Sequence, residues 1–176
     1  MNSEIDESGL IGLPAPAMLP SGPFAGREAF RQMVRDAFAC AARDGWHEMV
    51  ICDPSFEDWP LRELSVVSSL HAWAKAGRHL TMLAAHFEGV QRNQPRFVAW
   101  RKTWSHIVEC RRCRTLVPVD FPSAIWSRTW VMQRLDLVRS AGLSGPEPGR
   151  QVRLREILDE KIRGSVLGFP ATTLGL

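Results

Sequence analysis

Glu48-Met-Val-Ile-Cys52 and His79-Leu-Thr-Met-Leu-Ala-Ala85 are the two stretches whose reading decides the fold. Each is a short apolar run of β-prone residues. Asp53-Pro54 ends the first, and a helix-compatible segment, residues 62–76, closed by Gly77, separates the two. Two buried strands joined by a helix form a parallel βαβ unit, because parallel neighbours need a crossover connection that also covers the sheet. The pattern predicts one small α/β domain with a mostly parallel sheet and helices packed on it.

Outward from this unit the periodicity continues. Before the first strand, Phe30, Met33, Val34, Ala37, Phe38 and Ala41 recur at three- and four-residue spacing. They predict a helix over 26–43, ended by Gly45. After the second strand, Pro95 suits the first turn of a helix expected to reach Cys110, with Phe97, Trp100 and Trp104 on its apolar stripe. Leu116–Val119 reads as a third strand, with Pro118 at an edge or end. Residues 126–138 fit helix or strand, and strand is preferred. Residues 141–149 read as a loop and 153–163 as a last helix with Leu154, Ile157, Leu158 and Ile162 inward. The expected organisation is a tail over 1–23, a domain over 24–164 and an extended strap over 165–176.

A length of 176 residues suits one domain. No apolar run is long enough to span a bilayer, and the N-terminus is acidic and then rich in Pro and Gly, unlike a secretory signal. A cytoplasmic protein without a membrane partner is expected, and its four cysteines are expected to be free thiols. The net charge of +3 hides a split: residues 1–60 carry four arginines against ten acids, and residues 61–176 carry eighteen Lys and Arg against nine acids. Such asymmetry marks either an anion-binding face or two halves that neutralise each other.

Three groups of residues could carry chemistry. Asp53 follows the first strand, Asp58 lies in the next loop, and His86 follows the second strand. Parallel strands bring their C-terminal ends to one edge, where open α/β sheets bind ligands. A carboxylate beside an imidazole would suit acid–base catalysis. The competing reading is that both aspartates cap turns and helices. The second group is the basic segment 92–114, in which Arg92, Arg96 and Arg101 are candidate anion clamps and the interleaved aromatics are candidate stacking surfaces for nucleic acid. At helical spacing those aromatics equally suit a core, with the cations on the solvated side. The third is His106-x3-Cys110-x2-Cys113, which has the spacing of half a zinc site but no second half in this sequence. Nucleotide-binding and serine-hydrolase signatures are missing, and no cofactor is expected.

The stretch ICDPSFEDWPLRELSVVSSLHAWAKAGRHLTMLAAHFEGV, residues 51–90, resembles one half of a phospholipase D-like domain. It is also similar to uncharacterised bacterial protein families that share an F-x-x-W-P-L turn (56–61) and an R-x-L-x-x-L-A strand (78–84). The resemblance implies a phospholipase D-like half-domain fold and pairing of such halves, hence a homo-oligomer. The family's catalytic motif is H-x-K-x4-D, with a histidine nucleophile and a phosphate-binding lysine. Here the five histidines are followed two places on by Met49, Trp73, Thr81, Glu88 and Val108. The sequence therefore points first to a binding or interaction protein on this scaffold. A phosphodiesterase- or hydrolase-like enzyme acting on a phosphorylated or anionic small molecule stands second. Nucleic-acid binding through segment 92–114 stands third.

Overall fold

The computed structural model describes residues 18–76, 78–114 and 120–171. The chain enters through β1 (Gly22–Phe24) and forms α1 (Arg27–Asp44), β2 (Glu48–Asp53), α2 (Leu64–Ala74) and β3 (His79–Ala84). Two short helices follow, α3 (Glu88–Asn93) and α4 (Pro95–Thr103), and then β4 (Val108–Arg112). The last part comprises β5 (Ser123–Trp126), β6 (Val131–Asp136), β7 (Ala141–Gly145), α5 (Pro148–Arg163) and β8 (Val166–Leu167). The eight strands of the described residues join one sheet in the order β1-β7-β6-β5-β2-β3-β4-β8.

The βαβ unit stands as the sequence indicates. β2 and β3 are parallel, with Glu48 opposite His79 and Asp53 opposite Ala84. Gly45 adopts the left-handed conformation (φ 66°) that closes α1 and turns the chain into β2. Side chains alternate across the sheet. Met49 and Ile51 face a large core built with α1, α2 and α4, while Val50 and Cys52 face a smaller core under α5 that includes Leu154 and Leu158. The domain is thus a three-layer structure.

Several expectations are corrected. The sheet is mixed and mostly antiparallel: only the β2–β3 and β3–β4 pairs are parallel. The reason lies in the β5–β6 hairpin, whose turn and second strand fall within residues 126–138, where strand is the preferred reading. Ser127 accepts hydrogen bonds from the amides of Thr129 (3.3 Å) and Trp130 (3.0 Å) and donates to the Trp130 carbonyl (2.7 Å), reversing the chain tightly. An antiparallel return needs only such a turn. The helix expected to reach Cys110 stops at Thr103, and β-branched Val108 begins a strand instead. The segment 141–149, read as a loop, contains β7. Gly142 permits this, because a Cβ there would collide with the backbone of Gln133 and lie 2.8 Å from the Arg134 Cα. Ile157, placed on an inward helix face, is exposed.

β1 begins inside the segment expected as a tail, and β8 lies inside the expected strap. Residues 1–17, Gly77, the expected strand Leu116–Val119, and residues 172–176 lie outside the described residues.

Candidate functional site

The C-terminal ends of β2 and β3 do meet at one edge. The amides of Ala85 and His86 both donate to the Pro54 carbonyl, at 3.1 and 3.0 Å. The side chains there are arranged differently from an acid–base pair. Asp53 is buried, and its Oδ1 accepts hydrogen bonds from the amides of Ser55 (3.1 Å) and Phe56 (2.8 Å). These bonds hold the turn that lets Phe56 adopt φ 58°, a costly conformation for a residue with a side chain. Oδ2 accepts from Ser123 Oγ (2.6 Å) and Arg134 Nη2 (2.8 Å).

Arg134 is the residue that sequence reading missed. It reaches Asp53 from β6 and also donates to Asp58 Oδ2 (3.1 Å) and Ser123 Oγ (3.1 Å). Its guanidinium lies 4.1 Å from the centroid of the Phe30 ring. The signal was present: Arg134 follows buried Met132 by two places on a strand, so it shares that inward face. A cation on an inward face needs a buried acceptor. Asp58 caps no helix; the residue preceding α2 is Glu63. Asp58 instead pairs with Arg134 and, at 3.7 Å, with Arg27. His86 is exposed, and no hydrogen bond joins it to either aspartate among the described residues.

Beside this edge lies a cleft of about 250 Å³ bordered by Arg31, Glu57, Trp59, Arg62, Glu63 and Gln94. Gln94 donates to the Phe56 carbonyl (2.9 Å). Its Oε1 and the Trp59 Nε1 are buried without a partner among the described residues, and both residues line the cleft. Glu63 is held below the ordinary carboxylate range by its hydrogen bonds with Arg35 (2.7 and 2.8 Å) and is ionised at neutral pH.

The three arginines proposed as clamps do not converge. Arg92 and Arg96 are exposed, and Arg96 donates to the Arg62 carbonyl (3.0 Å). Arg101 is buried, with Nε 3.1 Å from Cys110 Sγ. The basic segment is two short helices followed by a strand, not one helix, and its Phe97 and Trp100 are buried in the core rather than offered to bases. The half-site reading of His106, Cys110 and Cys113 fails on geometry. Cys110 belongs to the core under α1–α4 and Cys113 to the core under α5, on opposite faces of the sheet, while His106 is exposed. Among the described residues no three His, Cys, Asp or Glu side chains cluster as metal ligands.

No protein-family model and no curated protein matches the chain. Solved structures do. The chain resembles TrmBL2, an archaeal chromatin protein with a novel mode of DNA binding, with TM-score 0.62 and 11% identity, over 90% of this chain and 57% of that one. It resembles Nuc, a phospholipase D family member from Salmonella typhimurium, with TM-score 0.58 and 10% identity, over 86% of this chain and 100% of that one. NucT from Helicobacter pylori matches with TM-score 0.57 and 8% identity, over 85% of this chain and 99% of that one. The likeness to Nuc and NucT is one of fold: the chain has the fold of a phospholipase D-like half-domain.

Proposed function

We propose that the protein is a binding or interaction module that uses a phospholipase D-like half-domain as a scaffold and carries out none of that family's phosphodiester chemistry. One observation carries this reading: Asp53, at the strand-end edge, is bound on both oxygens by turn amides, Ser123 and Arg134. A carboxylate so engaged has no lone pair left to orient an imidazole or take a proton. No histidine of this sequence has a lysine two places on. The polar cleft next to this edge, lined by Trp59 and Gln94, which carry a donor and an acceptor without a partner among the described residues, supports binding rather than turnover.

The test is hydrolysis of bis(p-nitrophenyl) phosphate and of a fluorescent oligonucleotide, alongside a gel shift at two salt concentrations. Turnover indistinguishable from buffer is expected. Hydrolysis that His86→Ala abolishes would overturn the reading. Nucleic acid is the second reading, favoured by the exposed cations Arg92, Arg96 and Lys102 on consecutive helices. With Phe97 and Trp100 buried, such binding would rest on phosphate contacts and weaken steeply with salt.

A further inference from the structure

A second, larger cleft of about 640 Å³ lies on the other side of the molecule, where α4 ends, β3 and β4 begin, and β8 leads to Pro170. Its size is that of a small-molecule pocket. Arg101 lines it and is only 6% exposed. Its guanidinium donates from Nε to Cys110 Sγ and from Nη2 to the Phe169 carbonyl (3.4 Å), and lies 5.9 Å from the Phe169 ring centroid. Its Nη1 is buried with no hydrogen-bond partner among the described residues.

None of these contacts supplies a negative charge. Burial pushes the Cys110 thiol up to about 11, so it stays neutral at physiological pH. Glu109 also lines the cleft, but its Oε1 is taken by Arg111. The contrast with Arg134, the other buried arginine, is direct: Arg134 has two carboxylates. A buried cation without a counter-charge is costly. The rest of the cleft is suited to offsetting that cost with a ligand. His79, His106 and Ser105 supply polar groups, and Ile107, Leu167 and Pro170 an apolar surface.

The geometry points to a binding site in this cleft for a small amphipathic oxyanion, with a phosphate or carboxylate head neutralising Arg101 and an apolar body lying along Leu167 and Pro170. The site is independent of the reading of the strand-end edge, and either can fail alone.

The experiment is thermal melting and calorimetric titration of the full chain with hexyl phosphate, hexanoate and hexanol. The two anions are expected to raise the melting temperature and hexanol to leave it unchanged. The comparison of the two anions separates phosphate from carboxylate as the head group. Arg101→Met should weaken anion binding about tenfold or more, the loss expected for charge-assisted hydrogen bonds. The same variant should melt no lower than the parent without ligand, because it removes an uncompensated buried charge. Arg101→Lys, which keeps the charge but not the planar fork, should bind with intermediate affinity. Three results would overturn the site: no response of the parent to either anion, an equal response in Arg101→Met, or a markedly lower melting temperature of Arg101→Met without ligand. The last would mean that the guanidinium is already satisfied by the chain.

Discussion

Arg134 and Asp53, 81 residues apart in the chain, meet at 2.8 Å with side chains 2% and 3% exposed. The pair ties β6 to the end of β2 across β5 and fixes the loop that leads to α2. Removing one partner leaves a charge buried without its counter-ion, which costs about 3–5 kcal/mol. Arg134→Leu is expected to lose that much in urea denaturation, and Arg134→Leu with Asp53→Leu is expected to recover part of it. A double variant no better than the single one would show that the turn amides and Ser123, not the arginine, need the carboxylate.

Gly142 sits opposite Arg134 in the β6–β7 ladder, where a Cβ has no room against the β6 backbone. Gly142→Ala should cost about 3 kcal/mol, the upper end for overpacking, because backbone rather than a flexible side chain must move. Gly149, whose added Cβ would meet nothing within 4 Å, is the control, and Gly149→Ala should change the urea midpoint little.

The four cysteines are buried. Burial raises the thiols of Cys40 and Cys110 from 9.0 to about 11 and pushes Cys52 well above its ordinary value. Native protein at pH 8 is therefore expected to react with a thiol-specific reagent only on the timescale of unfolding, while denatured protein reacts at once. The linkage has a definite sign. The folded state favours the protonated thiols, so their contribution is full below the unfolded pKa and is lost as pH rises from 9.0 to about 11.

Glu63 behaves oppositely. Its hydrogen bonds with Arg35 depress its pKa in the folded state. The stabilisation is present above the unfolded pKa and is lost as pH falls through the lower folded one. The difference in urea midpoint between the parent and Arg35→Gln should thus be largest at neutral pH and shrink in acid. A difference that does not change with pH would show that Arg35 acts by packing alone.

The parallel half of the fold was legible because its signals are local. A stripe in α1, two apolar runs and a glycine cap each declare themselves within a few residues. The antiparallel half hid for physical reasons. The β5–β6 turn uses Ser127 bonded to its own backbone, without an Asn-Gly or Asp-Gly pair, and β7 carries glycines where a strand ordinarily carries branched residues. At the site, Asp53 and Asp58 were found by position, but their role depends on Arg134, and a long-range pair leaves only an odd cation on an inward strand face as its trace. Cys110 and Cys113 illustrate the converse. Their spacing looks like a ligand pair on a turn, but the alternation of a strand and its exit sends them to opposite faces.

The Asp53–Arg134 pair also bears on how the chain is made. At roughly 5–20 residues per second, synthesis delivers Asp53 several seconds before Arg134. Through that interval α1, β2, α2 and β3 can form, but β1 still waits for its partner β7, the carboxylate at the end of β2 has no cation to meet it and the sheet lacks its β5 neighbour. The early-made half therefore cannot close its interior alone. It stays open until the β5–β6 hairpin emerges, and the two halves become stable together.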